Sequence, residues 1–222
     1  MKTRVIPFMM ILATVSLWSC RKEVDLPQDN QITEIQTGSV HLDSIINSTP
    51  YQELSNAEVI AILQMREEEK AARDLYRVAS SLWAGSIFAN ISAAESKHMT
   101  AVWALIEKYD LEDPIQVDVP GQFESTMIQG LYDQLLPAMQ ESKNSAVLTG
   151  SLIEELDIYD LRQLMEQVDN IDVRMIFENL ERGSRNHLRG FYEQQQILGL
   201  TYTPQYLSQS EYDEIVNSPR EH

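Results

Sequence analysis

The chain has 222 residues, enough for one domain and something more. Its 34 acidic against 17 basic residues give a formal charge of −17, and so acidic a surface repels phosphate backbones, which excludes nucleic acid as a partner. Eight glycines and eight prolines exclude collagen-like and low-complexity chains, while a 43% hydrophobic fraction suffices for a sizeable core.

The N-terminus reads Met1-Lys2-Thr3-Arg4, followed by an apolar run from Val5 to Leu17. A basic start before a short apolar segment is the pattern of a secretory signal, and the run falls short of the roughly 20 residues of a membrane span. The single cysteine excludes an internal disulfide framework and a cysteine-rich zinc site. Its place is informative, because Leu17-Trp18-Ser19-Cys20 resembles a lipobox. That resemblance implies cleavage before Cys20, a lipid on its sulfur, and a protein of the cell envelope anchored to a bacterial membrane, facing the periplasm or the surface. An ordinary cleaved signal with a stray cysteine is the alternative. Cleavage removes Lys2 and Arg4 but no acid, taking the charge from −17 to −19. Residues 1–19 thus read as a signal peptide. Residues 20–52, with Pro27, Gly38, Pro50 and no sustained periodicity, read as a flexible tether, and 53–222 as a helical domain.

From Leu54 to about Leu200 apolar residues recur every three or four positions and strand-like alternation is scarce, so the domain is expected to be all-α. Ser55 with Glu58 forms a capping box opening the first helix. Its inward stripe is Ile62, Met65, Glu69, Ala72, Tyr76, Ala79 and Trp83. The second helix gives Phe88, Ile91, Glu95, His98, Val102, Leu105 and Tyr109. Next comes a long connection with Pro114, Pro120 and Gly121, and a shorter helical piece around 123–140 that contains Pro137. A connection of that length can run the length of a bundle, so the third long helix need not be antiparallel to the second.

That third helix, about 148–168, offers two stripes. One runs through Gly150, Glu154, Asp157, Leu161, Leu164 and Val168, the other through Leu148, Leu152, Glu155 and Tyr159. The first continues further as an apolar seam, which favours Glu154 and Asp157 as the inward pair and leaves Glu155 as a substitute. The fourth helix presents Val173, Phe177, Leu180, Ser184, His187, Phe191, Gln194 and Leu198. After Thr203-Pro204, Ser208 and Glu211 cap a short terminal helix.

Each long helix therefore carries a polar interruption on its seam. A buried carboxylate is expensive unless it is paired, hydrogen-bonded or bound to metal. Together the seams offer Glu69, Glu95, His98, Glu154, Asp157 and His187, a set of hard oxygens and two imidazoles suited to iron or manganese, with zinc also compatible. Glu95 and His98 are three apart and so are neighbours on one helix face, where they can touch one ion or bridge two. A Glu-x-x-His pair combined with single carboxylates from other helices is a general recipe for a dinuclear centre in a bundle core. Tyr76 stands where it can hydrogen-bond one of the ligands, whereas His41 and His222 lie in the tether and at the terminus.

Over roughly residues 54–200 the chain resembles the ferritin-like superfamily. Glu69, six residues and then Tyr76 look like the first-helix motif of ferritins and rubrerythrins. Glu95-Ser96-Lys97-His98 looks like their second-helix Glu-x-x-His, and Glu154-Glu155-Leu156-Asp157-Ile158-Tyr159 is similar to the third-helix carboxylate segment. Glu67-Glu68-Glu69-Lys70, Ile153-Glu154-Glu155, Asp160-Leu161, Gly183-Ser184-Arg185-Asn186-His187-Leu188 and the tail from Tyr202 to Ser208 resemble an uncharacterised prokaryotic ferritin-like family, a domain of unknown function. The resemblance implies a four-helix bundle with a long crossover holding a short helix, a short C-terminal helix, and a di-iron, manganese or mononuclear site, without an assigned reaction. If two redox metals bind, it implies oxidation of ferrous iron or reduction of peroxide. One departure stands out: Ser184 lies three before His187, where the resemblance implies Glu. A non-enzymatic interaction or scaffold domain with a degenerate, metal-free site is the rival expectation. Metal ions and, through Cys20, a membrane are the expected partners, with homodimerisation left open.

Overall fold

The computed structural model of the chain describes Ile46 and residues 49–222. Residues 1–19, expected from the sequence to be a signal peptide, lie outside the described residues, as do Cys20 and most of the expected tether, 20–52. Within them the elements are six helices and no strand: α1 (Asn56–Leu82), α2 (Ile87–Lys108), α3 (Thr126–Glu141), α4 (Lys143–Met165), α5 (Ile171–Leu198) and α6 (Gln209–Asn217). No helix among them is long and apolar enough to cross a membrane.

The capping box at the start of α1 is complete: Ser55 Oγ accepts from Glu58 N, and the Glu58 carboxylate accepts from Ser55 N at 2.8 Å. A second such box, Ser208 with Glu211, opens α6. Helix α4 begins at Lys143, five residues before the start expected from its stripe. Ser142 caps it by accepting from Ser145 N, and its first turn is polar, so the apolar period starts only at Ala146 and Val147.

Contacts fix the directions. Arg66 early in α1 donates to Met99 O late in α2, and Ser92 early in α2 donates to Arg73 O, so the two helices are antiparallel. Tyr76 late in α1 meets Gly150 early in α4. Arg162 late in α4 pairs with Glu181 early in α5, and Ser151 early in α4 with Gln195 late in α5. Helices α2 and α4 therefore run the same way, and the chain between them travels back along the domain. Helix α3 lies on this return path, packed against α1 and α4. The long helices close a ring of contacts in the order α1, α2, α5, α4.

Buried charges fasten the connections. Glu67 accepts from Glu124 N and Ser125 N at the entry to α3. Lys70, fully buried, donates to Asp74 and to the carbonyls of Val119 and Gln122. Glu58 accepts from Asp169 N and Asn170 N between α4 and α5. Glu155 accepts from Gln205, Tyr206 and Leu207 N and from the Tyr202 hydroxyl, which pins the tail. At the other end Ile46 is buried among Ile62, Leu105 and Phe177, and Lys108 donates to Ile46 O and Thr49 O.

The apolar interior falls into three clusters, one of them, with Ile158, Leu188, Leu207 and Tyr212, beneath the tail, and the other two at opposite ends of the long helices. Of those two, one holds Met65, Val102, Leu161 and Leu180; the other holds Leu75, Ile91, Ile153 and Phe191. On every long helix the residues between these two clusters are the polar interruptions of the seam.

Candidate metal centre

Glu69 of α1, Glu95 and His98 of α2, Glu154 of α4 and His187 of α5 converge in that gap. The Glu95 carboxylate, 2% exposed, stands at the middle. Its Oε2 is 2.6 Å from His98 Nδ1 and its Oε1 is 2.9 Å from His187 Nδ1. His98 Nδ1 also lies 3.1 Å from Glu69 Oε2, and His187 Nδ1 lies 3.2 Å from Glu154 Oε2. The two imidazole rings are stacked with centroids 5.5 Å apart. Two triads result, Glu69–Glu95–His98 and Glu95–Glu154–His187, each with ligand atoms within 4.8 Å of one another and sharing Glu95.

Several neighbours shape this core. Tyr76 donates its hydroxyl to Glu154 Oε1 at 2.5 Å. Ser184 Oγ touches both Asp157 Oδ2 and the carbonyl of Leu180. Gly183 faces His98: a Cβ there would lie 2.6 Å from the ring atoms Cε1 and Nε2. Glu69 Oε1 is buried without a hydrogen-bond partner.

Electrostatics follow from dense charge in a dry place. Burial raises the Glu69 carboxyl, and the Glu95 charge adds to this against the pull of His98, bringing it to about 8. Burial acts on Glu95 in the same direction, but His187 and His98 outweigh it and hold that carboxyl well below the usual range. Burial opposes protonation of His187, yet Glu95 and Glu154 push it up to about 10. His98 is likewise driven well above its ordinary value by Glu69 and Glu95. Burial and the charge of Glu69 lift Asp157 well above the carboxylate range, and burial with the charge of Glu95 lifts Glu154. Without a cation the centre is loaded with protons: two imidazoliums flank an ionised Glu95, and the surrounding acids resist ionisation.

Five of the six residues expected from the sequence meet in the two triads. Asp157 does not join either; it turns to Ser184 beside them. Glu155, the substitute, is fully buried but on the far side of α4, holding the tail. The Glu67-Glu68-Glu69 run, which reads most simply as a solvated face, splits three ways, since successive helix positions turn by about 100°. Gly183 escaped sequence reasoning, although a glycine in mid-helix, four before a seam histidine, is itself a signal of close approach.

An all-helical domain with a buried carboxylate–histidine cluster at its centre is the class that this fold and site define. The chain belongs to the family described as Uncharacterized protein domain (DUF2202), whose model matches residues 58–219. It is 42% identical over 176 residues to the uncharacterized protein MJ0754 of Methanocaldococcus jannaschii, covering 79% of this chain and 95% of that relative. The crystal structure of hypothetical protein MJ0754 is similar to this fold with a TM-score of 0.77, over 78% of this chain and 99% of that one.

Proposed function

We propose that the protein is an exported, lipid-anchored member of the ferritin-like superfamily whose core binds iron or manganese through Glu69, Glu95, His98, Glu154 and His187, with Asp157 alongside. One observation carries this reading. Each imidazole Nδ1 faces two carboxylate oxygens at once, and a single N–H cannot donate well to both, whereas one cation satisfies all three atoms. Ligands about 2.1 Å from a metal and at right angles lie roughly 3 Å apart, the spacing seen here. The four carboxylates Glu69, Glu95, Glu154 and Asp157 match the charge of two divalent cations, and the orphaned Glu69 Oε1 is a further free donor. A bound redox metal would supply the electron transfer for oxidation of ferrous iron or reduction of peroxide. This chain's own residues hold the ligands in place, and Tyr76 orients Glu154.

Ser184 favours a second reading, a scaffold domain in which the cluster is a metal-free polar network. Metal analysis of the full-length chain, purified without a histidine tag and supplied with Fe(II) or Mn(II), separates the two. The first reading expects about two ions per chain and a melting temperature that rises with metal, by mass action on the folded state, and neither in a Glu95→Ala/His98→Ala variant. Metal well below one ion per wild-type chain under both supplements refutes it. The anchor is tested separately: Cys20→Ala should release the protein from the membrane fraction, and retention there counts against lipidation.

A further inference from the structure

Glu154 is the inner end of a longer row. Helix α4 carries Glu154, Asp157 and Asp160 at steps of three, and residues so spaced form a ridge running obliquely across a helix. The ridge leaves the buried seam at Glu154 and emerges in a cleft between α1, α3 and α4. Asp157 and Asp160 line this cleft together with Glu68 of α1, between apolar walls that include Ala72, Leu131 and Leu156. Its volume is about 30 Å³, room for one or two waters and too tight for a fully hydrated ion.

These carboxylates are uncompensated. Glu68 receives only the Gln64 amide and Asp157 only the Ser184 hydroxyl, while Asp160 has no hydrogen bond or ion pair among the described residues. Other buried acids are matched by backbone amides or bases: Glu58, Glu67 and Glu155 by amides, Asp74 by Lys70 and Arg73, Asp172 by Lys108. Burial accordingly lifts Asp160 to about 6. Farther in stands Glu69, whose charge acts on Asp157 and whose Oε1 has no partner. Two other clefts lack this character. One is lined by Arg162, Arg185, Arg189 and Arg220 among its acids, the other by Arg77 and Lys97 with no acid.

We propose that the cleft between α1, α3 and α4 is the entry route for divalent cations. Glu68 and Asp160 receive the ion at the mouth, and Asp157 passes it to Glu69 and Glu154. The confined cleft makes the ion exchange water for carboxylate oxygens as it moves inward, and the charge of Asp160, unmatched by any base, attracts cations to the mouth. This inference rests on the metal-binding reading.

Stopped-flow uptake of Co(II) by the metal-stripped full-length chain, followed by the visible absorption of the bound ion, tests it. Glu68→Gln/Asp160→Asn should load about tenfold slower or more, with a weaker salt dependence and an unchanged final stoichiometry. The same loss of two charges at the exposed Glu193→Gln/Glu214→Gln should leave the rate unchanged. Ala72→Leu, which alters no charge and narrows the bore, should slow loading as well. Melting of the metal-free variants confirms folding, and loss of uncompensated carboxylates should leave the melting temperature level or raise it. Loading of both cleft variants at the wild-type rate overturns the route while the metal reading stands. Reduced stoichiometry in the acid variant also overturns it, by making those acids part of the centre. A wild-type chain that takes up no cobalt removes the metal reading and the route together.

Discussion

Gly183→Ala sets two effects of known sign against each other. In an open helix position this exchange stabilises, by up to about 1 kcal/mol. At position 183 the new Cβ would stand 2.6 Å from His98 Cε1 and Nε2, whereas ordinary contact begins near 3.4 Å, so the ring must retreat by about 0.8 Å. The ring has little room, being held by Glu95 at 2.6 Å, by Glu69 at 3.1 Å and by the stacked His187. Overpacking of this kind costs about 1–3 kcal/mol, enough to cancel or reverse the helical gain. For metal the consequence is sharper, since ligand positions tolerate only about 0.2 Å. Gly183→Ala should therefore fold with a melting temperature near or below wild type, lose the ion held by the Glu69–Glu95–His98 triad, and retain about half the metal. Gly130→Ala in α3, with nothing within 4 Å of the added carbon, is the control and should gain stability with full metal content. Elemental analysis and thermal melts of the two variants suffice. If both hold wild-type metal, the close approach of α5 to His98 does not position the ligand.

Two further outcomes are expected. Glu155→Ala strips the acceptor from three backbone N–H groups at 205–207; only Leu207 among them is buried, so the loss should be about 1–3 kcal/mol. Chemical denaturation measures it, and limited proteolysis should show new cleavage in the tail; an unchanged digest would refute the pinning. The metal-free protein should lose stability as pH rises from 6 to 10. Glu69 binds its proton more tightly folded (about 8) than at its ordinary 4.5, so stability falls as pH climbs through that interval. His187 contributes stability that is full below 6.5 and lost as pH rises through about 10, the same direction. Metal affinity should move oppositely, because the ion competes with those protons. A melting temperature that is flat over this range would contradict the assignment.

The seam residues were legible because their information is local. Glu69, Glu95, His98, Glu154 and His187 each interrupt an apolar period of three and four, and the period alone turns them inward. What escaped is set by packing between distant segments. Glu155 occupies the shorter of the two stripes of α4, and only the docking of 202–207 decides that it serves the tail. The burial of Glu67 and Lys70 is set by the crossover, which folds over them. Asp157 shares the inward stripe with Glu154, but one turn of drift carries it past the triads to Ser184. The early start of α4 was hidden because capping by Ser142 precedes any apolar residue.

The direction of the crossover gives the two triads different histories. Glu69, Glu95 and His98 all belong to the α1–α2 hairpin and come together by closing a loop of under 30 residues. The second triad draws Glu95 from that hairpin and Glu154 and His187 from α4–α5, so it exists only once the two hairpins dock, a step that closes a far longer loop. Docking is also the step that strips water from Glu154 and Asp157. If the core binds metal as proposed, an ion already seated in the first hairpin would lower that late electrostatic barrier and so take part in assembly.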